Sequence, residues 1–294
     1  MRFLVIGSTG LLGQAVMSET AARGNAAIGA ARRGADHTID LVKGQGIERL
    51  IGAARPDVVI NAAAITNLDE CEKNPGTAYA VNAAAVERIA VGCKQSNARL
   101  VHISTDHLFS GDGRARHDER APVMLVNEYA RTKFAGEQFA LSSPEALAVR
   151  TNFTGPRGWP QPTLFEWARD ALRRRAPLVL FDDYFTSTID ISALARALLD
   201  LIERKASGLL NVASRDVSSK KEFIEAIGTA MGITPDWAQS RSVADLSVRH
   251  AESLGLDVSR AEAILGYSLP SLSAVAAALV GQERATTCVT TPAL

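Results

Sequence analysis

Tyr129 and Lys133 stand four residues apart in the run Asn127-Glu-Tyr-Ala-Arg-Thr-Lys133. On a helix that spacing puts both side chains on one face. A free phenol has a pKa near ~10, too high to lose its proton readily at neutral pH. A neighbouring ammonium stabilises the phenolate and lowers that value. The pair can then donate a proton to a carbonyl oxygen or accept one from an alcohol. Lys133 could also hold a ribose hydroxyl of a nicotinamide cofactor. Thr105 ends a predicted strand, where ligands sit in open α/β sheets, and its hydroxyl could hydrogen-bond the same substrate oxygen. A Tyr-x-x-x-Lys alone occurs often on amphipathic helices, so its meaning depends on the elements around it.

Those elements begin at residue 2. The apolar run Arg2 to Ile6 reads as a buried strand, and Gly7, Gly10 and Gly13 follow at steps of three. Strand, tight turn and helix (11–23) would place free helical N–H groups and a positive dipole end where a pyrophosphate could bind. Gly7 would permit the turn, Gly10 would let a ligand approach the main chain, and Gly13 would let the helix pack near the strand. A second strand (25–32) ends in Arg32-Arg33, with no acidic residue beside them to accept the ribose hydroxyls. A guanidinium there favours a 2′-phosphate, so NADP is expected over NAD. The plainer reading is that both arginines solvate a loop.

Further strands are expected at 37–41, 57–64, 99–104 and 146–150, with helices at 45–54, 75–95 and 127–142 between them. Ala62, Ala63 and Ala64 close the fourth strand with small residues, over which a cofactor could lie. Strand–helix alternation implies a parallel sheet covered on both faces. The rhythm changes after residue 150. A Pro/Gly-rich loop (155–162) leads into helices at 163–175, 190–205, 218–231 and 271–281 and short strands at 177–181 and 208–213. This suggests a smaller lobe (151–281) interleaved with the first domain (1–150), then a frayed tail (282–294).

Composition narrows the function. Lys+Arg and Asp+Glu are both 32, so the net charge is zero, without the basic footprint of a nucleic-acid binder. Arg173-Arg174-Arg175 reads as a solvated helix end. Cys71, Cys93 and Cys288 are far apart, without metal-ligand spacing, which fits free thiols in a reducing compartment. His117-Asp-Glu119 reads as a polar loop and not as a metal site. Asp182 to Ser187 reads equally as a turn or as part of a substrate pocket. The chain runs straight into its first strand, and no apolar run reaches the ~18 residues of a membrane span. A cytoplasmic protein is expected, with a homodimer as a plausible assembly.

Taken together, the stretches Gly7 to Gly13, Asn61 to Asp69, Val81-Asn82, Ile103 to Phe109, Asn127 to Lys133, Arg150 to Phe153 and Asp257 to Ala261 resemble the extended short-chain dehydrogenase/reductases, closest to the dTDP-4-dehydrorhamnose reductase group. The resemblance runs to about residue 281. It implies an α/β fold with a Rossmann-type doubly wound parallel sheet and a smaller C-terminal α/β substrate lobe. It implies Thr105, Tyr129 and Lys133 as the catalytic three and NADP(H) as cofactor, with NAD(H) as the alternative. The cofactor would meet Thr9, Leu11 and Leu12 beside the glycines, Arg32, Asp40 and Leu41 near the adenine, Ala62 to Ala64, and Asn82. A nucleotide-linked sugar would meet Thr66, Asp106, His107, Asn152 and Phe153. His107 stands where that group usually has Tyr, Ala130 where Gly follows the Tyr, and Asn152-Phe153 where it has Ser-Trp. These departures fall mainly on the sugar side.

The expected reaction is reduction of a keto group on a nucleotide-linked 4-keto-6-deoxysugar. Two rivals share the scaffold: a nucleotide-sugar epimerase or dehydratase, and a non-catalytic NADP-binding regulatory subunit. The intact Thr105, Tyr129 and Lys133 weigh against the second.

Overall fold

The computed structural model describes residues 1–245 and 251–289, with side chains described to residue 282. The chain opens with β1 (Arg2–Ile6), α1 (Leu11–Ala22), β2 (Ala26–Ala31), β3 (His37–Thr38), α2 (Ile47–Ala54) and β4 (Val58–Asn61). It continues through α3 (Leu68–Lys73), α4 (Pro75–Tyr79), α5 (Ala85–Gln95), β5 (Arg99–Ile103), α6 (Glu128–Ala140) and β6 (Leu147–Arg150). Then come β7 (Phe153–Thr154), α7 (Leu164–Arg174), β8 (Val179–Phe181), β9 (Phe185–Thr186), β10 (Ile189–Asp190), α8 (Ile191–Glu203) and β11 (Gly208–Asn211). The last elements are β12 (Ser218–Ser219), α9 (Lys220–Met231), β13 (Gln239–Arg241), β14 (Ser253–Leu254), α10 (Ser259–Leu265) and α11 (Leu272–Val289).

Among the described residues, seven parallel strands form one sheet in the order β11-β6-β5-β4-β1-β2-β3. The order reverses between β1 and β4, and ligands of doubly wound sheets bind outside the strand ends at such a point. Side chains alternate across each strand. Phe3, Val5, Val101 and Ile103 therefore face Leu194 and Leu198 of α8, whereas Leu4 and Ile6 face Ile47, Ile51 and Ile89 of α2 and α5. Burial on both faces explains why these strands read as unbroken apolar runs.

The strand expected in the smaller lobe at 208–213 is β11, and it belongs to the large sheet. Gly208 to Asn211 pair with Leu147 to Arg150. The preceding helix α8 returns across α1, where Arg23 pairs with Asp200 at 2.8 Å and Glu203 at 3.0 Å. Leu210 is buried in the core shared with α8 and α10, and its pairing with β6 is something no local pattern reveals. The other short strands pair among themselves, β10 with β7, β13 with β8, and β9 with β12 and β14. Phe165, Leu172, Phe223, Ile227, Val275 and Leu279 form a separate core among α7, α9 and α11.

Three local expectations change. The helix expected over 75–95 is interrupted by a π-helical turn at Ala80–Ala84. A short helix, α3, precedes it, capped by the Asn67 side chain on the Glu70 N–H at 2.8 Å. The tail expected to fray from 282 continues as α11 to Val289, while 290–294 lie outside the described residues. His117 is not a solvated loop residue: its ring stacks on Phe109 at 4.0 Å and its Nδ1 lies 2.8 Å from the Gly255 carbonyl. Arg175, at the end of α7, pairs with Asp236 and stacks on Trp237. No helix among the described residues is long and apolar enough to cross a membrane.

Candidate functional site

The glycine turn forms a cradle. Gly7 has φ +85°, and a Cβ there would lie 2.7 Å from the Ala63 amide nitrogen. A Cβ on Gly13 would lie 2.1 Å from the Gly7 carbonyl oxygen, so α1 can approach β1 only without a side chain there. The Gly10 N–H donates to the Gly7 carbonyl at 2.9 Å and closes the turn. The first intrahelical bond of α1 is Gln14 N–H to the Gly10 carbonyl, which leaves the Leu11, Leu12 and Gly13 N–H groups free of helical partners. Such N–H groups suit a pyrophosphate, and the turn that presents them depends on close backbone packing at Gly7 and Gly13 and carries no side chain at Gly10. The residues present therefore fit a dinucleotide.

Leu12 itself is buried in the core, so its contribution there is backbone only, whereas Leu11 is partly exposed at the turn. Arg32 and Arg33 are exposed, and Thr9 lies against Gly34 of the same loop. Asp36, the nearest acid, accepts the Gly29 N–H at 2.7 Å and is held on β2. The arginines thus stand by the turn without an ion pair among the described residues. Leu41 is buried with Ile39 and Ile47, leaving the partly exposed Asp40 as the more accessible of that pair.

Ala62 to Ala64 follow β4 on the Gly7 side of the crevice, held from below. Asn61 accepts the Ala63 N–H at 3.2 Å, and its amide nitrogen lies 3.2 Å from His102 Nδ1. Asn82 projects from the π-helical turn. It accepts the Ile65 N–H at 2.8 Å and donates to the Ile65 carbonyl at 3.0 Å and to Thr132 Oγ1 at 3.2 Å. Asn82, expected at the cofactor, has its side chain bound to this loop and to α6, so it holds the loop that follows β4 in place. Thr66, expected at the sugar, is exposed on the same loop.

On the other side of the switch point, Asn127 caps α6 by accepting the Ala130 N–H at 2.8 Å. Tyr129 and Lys133 are both buried, Tyr129 against Cys71 of α3 and Ala78 of α4. Lys133 Nζ donates to the Ile103 carbonyl at 2.5 Å, which anchors it at the end of β5. Burial lowers the Lys133 pKa to about 8, with Glu137 one turn on pulling it back up. The ammonium was expected to depress the Tyr129 pKa. Instead burial pushes the phenol above its ordinary value, a hydrogen bond from Thr105 pulls it partway back, and Asp106 and Cys71 raise it further. Tyr129 rests as a protonated acid.

Thr105, Asp106 and His107 leave β5 together. The His107 N–H donates to Thr105 Oγ1 at 3.2 Å, and that hydroxyl in turn faces Asp106 Oδ1 at 3.5 Å. Burial raises the Asp106 pKa to about 7, opposed by hydrogen bonds from Asn152 and Thr105 and by the charge of Lys220. Asn152 Nδ2 donates to Asp106 at 2.8 Å, and Asn152 Oδ1 accepts from Thr188 at 3.0 Å. The His107 ring meets the Tyr129 ring edge-on at 5.4 Å, and its Nε2 lies 3.3 Å from the Tyr184 hydroxyl. The structure thus brings Thr105, Asp106, His107, Tyr129, Lys133 and Asn152 into one cluster. Phe153 lies apart from these bonds, partly buried against the sheet core. Sequence reasoning missed His102, Tyr184, Thr188 and Lys220. Only the Asp182–Ser187 stretch carried a hint, and there Tyr184 does reach the site.

A crevice at the switch point of a parallel sheet, a glycine turn fitted to a dinucleotide and a buried Thr–Tyr–Lys set define an NAD(P)-dependent oxidoreductase of the extended short-chain type. The chain belongs more narrowly to the family described as RmlD substrate binding domain, whose model matches residues 1–280. It is 31% identical over 297 aligned residues to the probable low-salt glycan biosynthesis reductase Agl14 of Haloferax volcanii, covering 95% of this chain and 97% of that one. It is 34% identical to the dTDP-4-dehydrorhamnose reductase of Mycobacterium tuberculosis, over 80% of this chain and 77% of that one. Among solved structures, a hypothetical dTDP-4-dehydrorhamnose reductase from Sulfolobus tokodaii matches with a TM-score of 0.83 at 29% identity, covering 92% and 97% of the two chains.

Proposed function

We propose that this protein reduces the keto group of a nucleotide-linked 4-keto-6-deoxysugar with NADPH, NADH being the alternative donor. The observation that carries this reading is the buried Tyr129, edge-on to the His107 ring that follows Thr105, with Lys133 four residues on anchored to the Ile103 carbonyl at the end of β5. The names of the curated relatives, a glycan biosynthesis reductase and dTDP-4-dehydrorhamnose reductases, support the substrate class.

The cofactor supplies the hydride when bound. The N–H groups at the start of α1 and the glycine turn would hold its pyrophosphate, and Arg32 its 2′-phosphate. Lys133 would hold the nicotinamide ribose while remaining on the Ile103 carbonyl. Thr105 Oγ1 and Tyr129 Oη would bracket the substrate carbonyl oxygen, the hydroxyl positioning it and the phenol donating the proton as negative charge develops. Burial serves this direction: a phenol pushed above its ordinary pKa keeps its proton until a strongly basic oxygen appears beside it. His107 and Asn152 would line the sugar side.

The test follows NADPH oxidation over a panel of nucleotide-4-keto sugars, with Tyr129→Phe as control. Stoichiometric NADPH loss with a reduced sugar product supports the reading. Turnover by the variant equal to wild type, or conversion of sugar without net NADPH loss, as an epimerase would give, overturns it.

A further inference from the structure

We propose that His102 is a positioning residue for the cofactor crevice. With its hydrogen on Nε2 it fixes the Asn61 amide, and Asn61 in turn holds the Ala63 N–H, and with it the Ala62–Ala64 stretch, against the glycine turn. The inference rests on the reading of that stretch and that turn as the place of the dinucleotide.

Asn61 ends β4 and stands between Ile6 of β1 on one side and His102 of β5 on the other. The ladder runs one bond further, from the Ala62 N–H to the Ile6 carbonyl at 2.9 Å. The next N–H, that of Ala63, turns back to Asn61 Oδ1 at 3.2 Å. Here the chain lies so close to Gly7 that a Cβ on that glycine would fall 2.7 Å from the Ala63 nitrogen and 2.9 Å from the Ala62 carbonyl carbon. Two residues on, Asn82 takes both the N–H and the carbonyl of Ile65. Two asparagines therefore hold the segment after β4, and Asn61 grips the end that touches the glycine turn.

Hydrogen-bond chemistry then dictates the state of His102. The Ala63 N–H only donates, so the Asn61 atom it meets is the carbonyl oxygen. The Asn61 NH2 therefore lies on the other side, 3.2 Å from His102 Nδ1. An NH2 only donates, so Nδ1 must present a lone pair, and the ring hydrogen sits on Nε2. With Nδ1 protonated, in the other tautomer or in the imidazolium, two donors would face each other. The amide would then be driven to turn, setting its NH2 against the Ala63 N–H. Burial, and after it the Lys133 charge, act in the same sense by holding the His102 pKa well below its ordinary value.

The sheet itself has no need of this polar pair. Asn61 is 1% exposed and His102 0%. Two residues back on the same strands and faces, Val59 stands opposite Leu100 as an apolar couple in the core. His102 Nε2 has no hydrogen-bond partner among the described residues. A buried donor without a partner costs stability, and two apolar side chains of similar shape would avoid that cost. What an apolar couple could not do is accept the Ala63 N–H. The polar pair thus serves the loop at the crevice, at some expense to the sheet.

The experiment uses the full-length protein with nitrogen-15 histidine, the His102 ring signals being assigned by their loss in His102→Gln. In wild type Nδ1 should carry no hydrogen and Nε2 one; a hydrogen on Nδ1 overturns the proposal. This reading is made on the unaltered chain and does not depend on a leucine variant folding. NADPH affinity is then followed by fluorescence titration beside urea unfolding. His102→Leu strands the Asn61 NH2 and should weaken NADPH roughly tenfold, the loss of about one hydrogen bond. His102→Gln, whose side-chain oxygen can accept from Asn61, should recover most of that affinity. The double variant Asn61→Leu/His102→Leu leaves no side-chain polar group stranded. It should unfold at the urea concentration of wild type or above and still bind NADPH roughly tenfold more weakly, a split that a merely structural pair would not give. Wild-type affinity in the double variant, or in a folded His102→Leu, overturns the proposal, as does an affinity loss that only tracks a loss of stability. None of these readouts needs a sugar, so failure of every nucleotide-4-keto sugar would sink the functional reading alone. A wild-type protein that binds neither NADPH nor NADH would overturn the cofactor reading and this inference together.

Discussion

Replacing Glu137 by Gln tests how the catalytic helix is seated. Glu137 lies one turn beyond Lys133, and its side chain is 0% exposed, facing an Arg150 side chain that is 3% exposed. Arg150 donates to it from Nε at 2.9 Å and from Nη2 at 2.8 Å, and Ser104 Oγ donates at 2.7 Å. Glutamine keeps the shape and removes the charge. Its amide can accept only one of the two arginine N–H groups, and its own NH2 then opposes the other, leaving the guanidinium buried without its counter-ion. Breaking a buried pair by removing one partner costs about 3–5 kcal/mol. For a chain of this size that corresponds to a melting temperature lower by roughly 5–8 °C. Glu137 also supports the Lys133 charge, so its loss should take the Lys133 pKa below about 8. Lys133 would then lose its proton at lower pH, and the alkaline limb of kcat should move towards neutrality. Urea unfolding measures the first effect and a pH–rate profile the second. The double variant Glu137→Met/Arg150→Met, which leaves no stranded charge, should recover much of the lost stability. A single-variant loss under about 1 kcal/mol, or a double variant worse than the single, would refute the reasoning that this pair acts as a desolvated unit.

Three other outcomes follow from the same geometry. Asp106 binds protons more tightly folded than unfolded, with a pKa raised from 3.8 to about 7. The native state therefore holds the extra proton between those values, and stability falls as pH rises through that window, by about 4 kcal/mol in total. Asp106→Asn should flatten that part of the stability–pH curve measured by urea unfolding, and an unchanged slope would count against the burial of this carboxyl. Gly13→Ala would drive a Cβ to 2.1 Å from the Gly7 carbonyl, so α1 must shift and NADPH binding should be lost in a fluorescence titration, whereas Gly76→Ala meets nothing within 4 Å and should bind normally. Arg32→Ala should weaken NADPH about tenfold, the loss of one charge-assisted contact, and leave NADH unchanged in the same titration.

What the sequence showed and what it hid divide along one physical line. The Tyr129–Lys133 pair, the Gly7–Gly13 turn and the placement of Thr105 were legible because each depends on local geometry. A four-residue helical step, a three-residue turn and a strand end need no knowledge of distant chain. The strand at 208–211 was legible as a strand but not as the seventh of the sheet, because its neighbour β6 lies some sixty residues earlier. His117 read as solvated because Phe109 and Gly255, which bury it, are joined to it only by the fold. The electrostatics failed for the same reason. From spacing alone Lys133 should depress the Tyr129 pKa, yet burial is the largest influence on the phenol and raises it, and burial belongs to the whole site.

The same line separates chemistry from specificity. The reacting groups sit on one helix and one strand end, elements whose spacing a short stretch of sequence can specify. The wall around them draws His107 from the turn after β5, Asn152 from after β6, Tyr184 and Thr188 from the segment around β9, and Lys220 from α9. Hydrogen bonds chain these residues from the Rossmann sheet into the second lobe, so a change at one alters the orientation or charge of the next. His107 shows the coupling: it touches the catalytic phenol through its ring and the second lobe through Nε2. A substitution at His107 cannot reshape this wall without also moving a neighbour of Tyr129. Changes of substrate should therefore arise from paired substitutions across the cleft, such as His107 with Tyr184, rather than from a single replacement at either.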